Sequence, residues 1–140
     1  MTTHWLYPTS PNSKFSLTVG GVQVAVDPGT FAAAVRESGE SPDSWIVTTG
    51  YRMIAVDDLV WIYFGKPYSY LGGLGRVVHE TTERWPDRYM AVDLLWEHAA
   101  TKALLQNPIA KSAFQDTPRS LRRFGDPAAA MLDRWLSDRP

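Results

Sequence analysis

The chain has 140 residues, of which 44% are hydrophobic and 21% charged, with a formal net charge of -1 and no cysteine. This composition is typical of a globular domain, and it excludes disulfides, thiolate zinc sites and cysteine nucleophiles. The near-neutral charge argues against non-specific binding to nucleic acid, which requires many basic residues. No apolar run is long enough for a membrane span, and the first residues lack the features of a secretory signal. We therefore expect a single cytoplasmic domain over residues 1–140.

The first part of the chain reads as short strands followed by one helix. His4 to Tyr7 predicts a strand, and residues 15–26 alternate between apolar and polar positions around Gly20-Gly21, which predicts a hairpin. Thr30 is the predicted N-cap of a helix over residues 31–38.

The middle of the chain is rich in strand-forming residues. Four strands are predicted, over residues 45–49, 59–64, 70–79 and 89–96. Alternation in the second of these places Val60, Ile62 and Phe64 on one face and Trp61 and Tyr63 on the other.

The last third of the chain changes to a helical pattern. A helix is predicted over residues 97–106, and a helical turn is predicted from Thr117-Pro118. Asp126-Pro127 predicts the start of a final helix over residues 128–136, with Asp126 as N-cap. Short strands, one early helix and a helical tail predict an α+β fold, a small mixed β-barrel with helices against its side.

The segment LGGLGR, residues 71–76, contains three glycines but is not a phosphate-binding loop. It lacks the third glycine position of a dinucleotide fingerprint, and Gly65-Lys66 is followed by proline rather than the Ser or Thr of a P-loop. The glycines therefore indicate a sharp bend in a strand, or a close approach to another backbone.

Catalytic and metal-binding motifs are weakly represented. His79 and Glu83 lie near a strand end, where a spacing of four residues does not converge on a metal, and no Gly-x-Ser-x-Gly elbow occurs. The adjacent carboxylates Asp57-Asp58 are better suited to a turn. We expect no enzymatic activity, no metal and no cofactor.

One group of basic residues stands out. The spacings of three and four residues between Arg119, Arg122 and Arg123 would place them on one side of a helix, and Lys111 lies upstream of them. Such a group is either a solvated face or a set of phosphate contacts, because guanidinium groups match phosphate oxygens.

Several segments, taken in order, resemble the PUA-like superfamily, and within it the EVE domain and its relative, the YTH domain. They are residues 5–11, Trp45 with Thr48-Thr49, residues 54–63, residues 70–77, Trp85 in a polar loop, and the helical tail. Tyr7-Pro8 stands where EVE domains have a polar pair, and Asp57 replaces the usual glycine.

This resemblance implies a non-catalytic module that recognises a modified base, methylated or hydroxymethylated, in DNA or RNA. Two aromatic walls would hold the base by stacking, which contributes about 1–3 kcal/mol per base. The ligand-binding residues implied are Trp45, Trp85, Tyr7, Thr9, Ser10, Asn12, Thr48, Leu71 and Gly73. The phosphate-contacting residues implied are Lys66, Arg76, Arg84, Arg119, Arg122 and Arg123.

Other functions remain open from the sequence. The aromatic residues, which include six Trp and six Tyr, could instead anchor a protein partner that supplies catalysis. A pocket for nucleosides or other flat small molecules is a further alternative. An ASCH-like enzyme is less favoured, because the Gly-x-Lys-x-x-Glu-x-Arg signature of ASCH domains is absent after Gly65-Lys66.

Overall fold

The computed structural model describes residues 2–11, 17–47, 54–80, 90–114 and 121–138. The strands within these residues are β1 (His4–Thr9), β2 (Leu17–Val19), β3 (Val22–Val24), β4 (Asp43–Val47), β5 (Leu59–Phe64), β6 (Tyr70–Glu80), β7 (Met90–Trp96), β8 (Ile109–Ala110) and β9 (Arg122–Arg123). The helices are α1 (Pro28–Glu37), α2 (His98–Gln106), α3 (Lys111–Phe114) and α4 (Asp126–Ser137). None of the helices within these ranges is long and apolar enough to cross a membrane.

Seven of the strands form one curled sheet. Their order is β4-β7-β6-β5-β1-β9, with β8 beside the start of β6, and only the β1–β5 pair is parallel. The α+β class is confirmed, but the predicted closed barrel is not, because the ladders of the described residues end at β4 and β9. The sheet is nevertheless strongly curled, since the rings of Tyr7 on β1 and Trp45 on β4 lie 5.0 Å apart.

The two faces of the sheet carry separate cores. As predicted, Val60, Ile62 and Phe64 of β5 pack on one face, with α1 and the β2–β3 hairpin, and we call this the inner face. Trp61 and Tyr63 pack on the outer face, which α2, α3 and α4 cover. The alternation of β5 therefore fixes which face each helix must cover.

The β2–β3 hairpin closes over the inner face. Gly20 and Gly21 have φ values of 62° and 75°, as a two-residue hairpin turn requires, which confirms the hairpin prediction. Their amides donate to the buried carboxylate of Asp43, at 2.9 and 3.0 Å, and the Trp96 indole donates to the same carboxylate at 2.7 Å. Asp43 thus ties the hairpin turn to β4 and β7.

A buried histidine connects the sheet to α4 on the outer face. The Trp61 indole N–H donates to His4 Nδ1 at 3.0 Å, so the imidazole proton lies on Nε2. His4 Nε2 in turn donates to Asp133 Oδ1 of α4 at 2.6 Å. His4 is only 1% exposed, whereas the Asp133 side chain is 52% exposed, so the link runs from the core to the surface.

Two predicted helix starts are displaced. The N-cap of α1 is Asp27, whose carboxylate accepts the Thr30 N–H at 2.9 Å, so the prediction of Thr30 as N-cap is wrong. The helix begins earlier because Pro28 fits its first turn. In α4 the N-cap is Gly125, and Asp126 is the first helical residue.

The predicted helical grouping of the arginines is also wrong for the residues described. Arg122 and Arg123 form β9, which pairs with Leu6 and Trp5 of β1. Arg119 lies outside the described residues. The backbone pairing at the edge of the sheet overrides the i, i+3 and i+4 spacing that suggested a helix.

Candidate functional site

The inner face holds a cluster of aromatic rings centred on Phe31 of α1. The Phe31 ring lies 5.7 Å from Phe64, 5.1 Å from Trp96 and 6.4 Å from Trp45, in edge-to-face contacts. Trp45 and Trp96 are 5.0 Å apart, and the Trp45 indole N–H donates to the Thr18 carbonyl at 2.9 Å. These rings fill the core of the curled sheet.

Glycines of β6 make this packing possible. A Cβ at Gly73 would lie 2.3 Å from Phe31 Cε1, and one at Gly72 would lie 2.9 Å from the Phe64 ring. The β5–β6 register shifts beside Gly72, which produces a bulge at this point. The strand is irregular here, as predicted, but aromatic side chains rather than another backbone or a phosphate occupy the space beside these glycines.

The described members of the predicted ligand-binding set lie in different surroundings. Trp45 is 5% exposed and belongs to the inner core, whereas Leu71 is buried in the outer core. The Thr9 hydroxyl donates to the Tyr63 carbonyl at 2.7 Å, and Ser10 is exposed just after β1. The remaining predicted members, Asn12, Thr48 and Trp85, lie outside the described residues.

Tyr7 is a predicted residue whose ring contacts Trp45. Its side chain is half-buried, and burial raises the pKa of its phenol above the usual value. The Tyr7 and Trp45 rings meet at 65°, edge to face. This arrangement packs the two rings against each other and leaves no parallel gap between them for a base.

The predicted phosphate-contacting residues are dispersed. Lys66 is exposed in the turn after β5, whereas Arg76 lies beside Leu59 at the other end of that strand. The Arg76 guanidinium is already bound by Asp57 at 3.2 Å and by Glu97 at 3.4 Å. Arg122 and Arg123 are exposed on β9, and Arg84 and Arg119 lie outside the described residues.

A groove between α1 and α2 brings other basic residues together. It has a volume of about 470 Å³, and we call it the α1–α2 groove. Its lining residues are Gly29, Ala32, Ala33 and Arg36 from α1, and His98, Ala99, Lys102, Leu105 and Gln106 from α2. None of these lining residues, all within the described ranges, is a carboxylate.

The sequence of each helix explains why these side chains face the groove. Phe31 and Val35 anchor α1 on the inner core, which turns Ala33 and Arg36 outward. Leu104 anchors α2 on the outer core, and Thr101 Oγ1 accepts the Leu74 N–H at 3.3 Å. The small residues between the anchors leave open space between the helices.

The α1–α2 groove carries two positively charged side chains that can contact a ligand. Arg36 and Lys102 are both exposed, and neither forms a salt bridge or hydrogen bond through its side chain with any residue the structure describes. His98 also lines this groove and donates from Nε2 to the Gly39 carbonyl at 2.8 Å, which joins the start of α2 to the end of α1. An anion is therefore favoured in this groove.

A second groove adjoins the first. It has a volume of about 740 Å³, shares Arg36 and His98 with the α1–α2 groove, and extends to Arg76. Glu40 and Glu97 also line it, and Glu97 binds Arg76. These carboxylates make it less suited to phosphate than the α1–α2 groove. Across the described residues, no group of three or more His, Asp or Glu side chains is placed to hold a metal.

Comparison with known proteins identifies the fold. No protein-family model and no curated protein matches the chain. Among solved structures, ASCH from Zymomonas mobilis matches with a TM-score of 0.52 and 13% identity, covering 98% of this chain and 96% of that one. The chain shares the fold of ASCH domains.

A second solved structure also shares the fold of this chain. The protein Atu2648 from Agrobacterium tumefaciens matches with a TM-score of 0.58 and 12% identity, over 96% of this chain and 92% of that one. At this identity the likeness shows a fold shared with ASCH, and the predicted relationship to EVE domains is not confirmed. The sequence lacks the ASCH signature, so this motif could not indicate the shared fold.

Sequence reasoning missed Arg36 and Lys102 as candidate binding residues. The available signal was local, because Ala32 precedes Arg36 by four positions and His98 precedes Lys102 by four. Such spacing places each pair on one side of its helix. That the two sides face each other is a consequence of the tertiary fold.

Proposed function

We propose that the protein is a non-catalytic module that binds single-stranded nucleic acid in the α1–α2 groove. The observation that carries this proposal is the pair of exposed cations Arg36 and Lys102, which have no side-chain partner among the described residues and share a groove whose lining residues include no carboxylate. Cations that are not already bound to protein carboxylates can neutralise phosphates and release counterions. The PUA-like resemblance, which implies base recognition in DNA or RNA, supports the same ligand class.

The shape of the groove also supports a nucleic-acid strand. Alanines line part of it, and Leu105 is 42% exposed, so it offers apolar surface beside the two cations. A strand presents both chemistries, because its phosphates are charged and its bases are flat and largely apolar. The overall charge of -1 means that attraction comes from this local arrangement rather than from the whole protein.

The test is a fluorescence-anisotropy titration of labelled single-stranded RNA and DNA at several salt concentrations. Each phosphate contact on a single strand contributes about -0.7 to the slope of log K against log salt. Arg36→Gln and Lys102→Gln should each weaken binding and reduce the slope by about 0.7. Arg134→Gln is the matched control, because Arg134 is exposed on α4 and lines neither groove.

Two results would overturn the proposal. One is the absence of binding to any strand at about 50 mM salt, where phosphate contacts are strongest. The other is a salt slope that Arg36→Gln and Lys102→Gln leave unchanged. Incubation with the same strands, followed by a denaturing gel, tests the non-catalytic part, since strand cleavage would show an enzyme.

Reading of a modified base is a finer form of this proposal. Of its two suggested walls, Trp45 is packed in the inner core and Trp85 lies outside the described residues. Strands carrying 5-methylcytosine, 5-hydroxymethylcytosine or N6-methyladenine should therefore be included in the titration. Preference for one of them, lost in Trp85→Ala, would support a reader, and equal binding of all strands would leave a general binding module.

A further inference from the structure

Two tyrosines lie together beside the start of α1, the helix that lines one side of the α1–α2 groove. Tyr68 is in the turn between β5 and β6, and Tyr70 is the first residue of β6. Their ring centroids are 5.9 Å apart at an angle of 66°, and both side chains are half-buried. We call this pair the tyrosine platform. Partly exposed aromatic rings of this kind can stack with a base.

The platform is tied to the start of α1 by a hydrogen bond. The Tyr68 hydroxyl donates to Asp27 Oδ2 at 3.3 Å, and Asp27 is the N-cap of α1, two residues before Gly29 in the groove. Tyr70 pairs with Ala110 of β8, four residues after Gln106 at the end of α2. Because Asp27 precedes α1 and Arg36 lies in its last turn, the platform is at the end of α1 opposite Arg36.

The chemistry of the platform suits a base better than a phosphate. Burial, followed by the charge of Asp27 and its hydrogen bond, raises the pKa of the Tyr68 phenol. Burial, Tyr68 and Asp27 together raise the pKa of the Tyr70 phenol. Both rings are thus neutral at physiological pH, and the Asp27 carboxylate beside them repels phosphate. An uncharged flat group is the favoured occupant.

We propose that Tyr68 and Tyr70 stack with an unpaired base of the strand whose phosphates Arg36 and Lys102 contact. This inference rests on the proposed function and adds a preference for single strands over duplexes. The ten residues of α1 span about 15 Å, so a strand of a few nucleotides reaches from the platform to Arg36. A duplex keeps its bases stacked and cannot offer one to the tyrosines.

The experiment compares Tyr68→Leu/Tyr70→Leu with the wild-type protein on a short mixed-sequence single-stranded RNA and on its blunt duplex. Loss of stacking should weaken single-strand binding at least about fivefold, while the salt slope stays unchanged because no phosphate contact is removed. Duplex binding should not change. If the double variant is destabilised, two single variants replace it. Tyr70→Leu should weaken single-strand binding, whereas Tyr68→Phe, which keeps the ring, should not.

The outcomes separate this inference from the proposed function. The leucine variants could bind single strands as tightly as wild type while Arg36→Gln and Lys102→Gln bind weakly. Base stacking on the tyrosine platform would then be refuted, and strand binding in the α1–α2 groove would be supported. If Arg36→Gln and Lys102→Gln have no effect, the proposed function fails. Equal losses on strand and duplex, or a changed salt slope, would also overturn the platform.

Discussion

Gly73→Ala adds one methyl group at the most crowded point of the inner core. The new Cβ would lie 2.3 Å from Phe31 Cε1 and 3.0 Å from its Cζ. Phe31 is fully buried and held by the Phe64, Trp96 and Trp45 rings, so it cannot retreat without displacing them. Overpacking of this kind costs about 1–3 kcal/mol in the free energy of unfolding.

The assay is urea unfolding followed by tryptophan fluorescence. Gly75→Ala is the matched control on the same strand, because its Cβ would meet Trp96 at 3.1 Å, a milder contact. Alanine also removes the entropic cost of a strand glycine, about 0.5–1 kcal/mol, which offsets part of that contact. We therefore expect Gly73→Ala to be clearly less stable than Gly75→Ala.

Phe31→Leu provides the second test of this packing. A smaller side chain at position 31 leaves room for the new methyl group, so the double variant Phe31→Leu/Gly73→Ala should be more stable than the sum of the single effects by at least about 0.5 kcal/mol. A Gly73→Ala protein as stable as wild type, or strictly additive effects, would refute close packing against Phe31 as the reason for glycine.

Three further predictions concern stability, each measured by urea unfolding. Asp43→Ala should cost at least about 3 kcal/mol, because two hairpin amides and one indole lose their acceptor; a loss below about 1 kcal/mol would contradict this. His4→Ala should cost about 2–4 kcal/mol, since it leaves a cavity, an unpaired Trp61 indole N–H and no link to Asp133; unchanged stability would show that the link is not needed. Since the pKa of Tyr7 is raised in the folded state, its contribution is present below about pH 10 and is lost as pH rises further. Tyr7→Phe should therefore show a weaker loss of stability in alkali than wild type, and parallel pH profiles would contradict the assignment.

The sequence by itself determined the local elements. Alternation along β5 places Val60 and Trp61 on opposite faces, and the structure agrees residue by residue. Gly20-Gly21 determined the hairpin turn, because few other residues accept two positive φ values. These features depend on neighbours in the chain, so periodicity and backbone preference are sufficient to predict them.

Only the tertiary structure decided where function could reside. From the sequence, Trp45 is equally compatible with a pocket wall and with a core position. The curl of the sheet is what buries it. Arg76 is basic in sequence, yet Asp57 and Glu97 already bind its guanidinium. Arg36 and Lys102 come from distant segments, and they share a groove only because α1 and α2 pack beside β6. Such placements depend on contacts between distant segments, which local patterns do not encode.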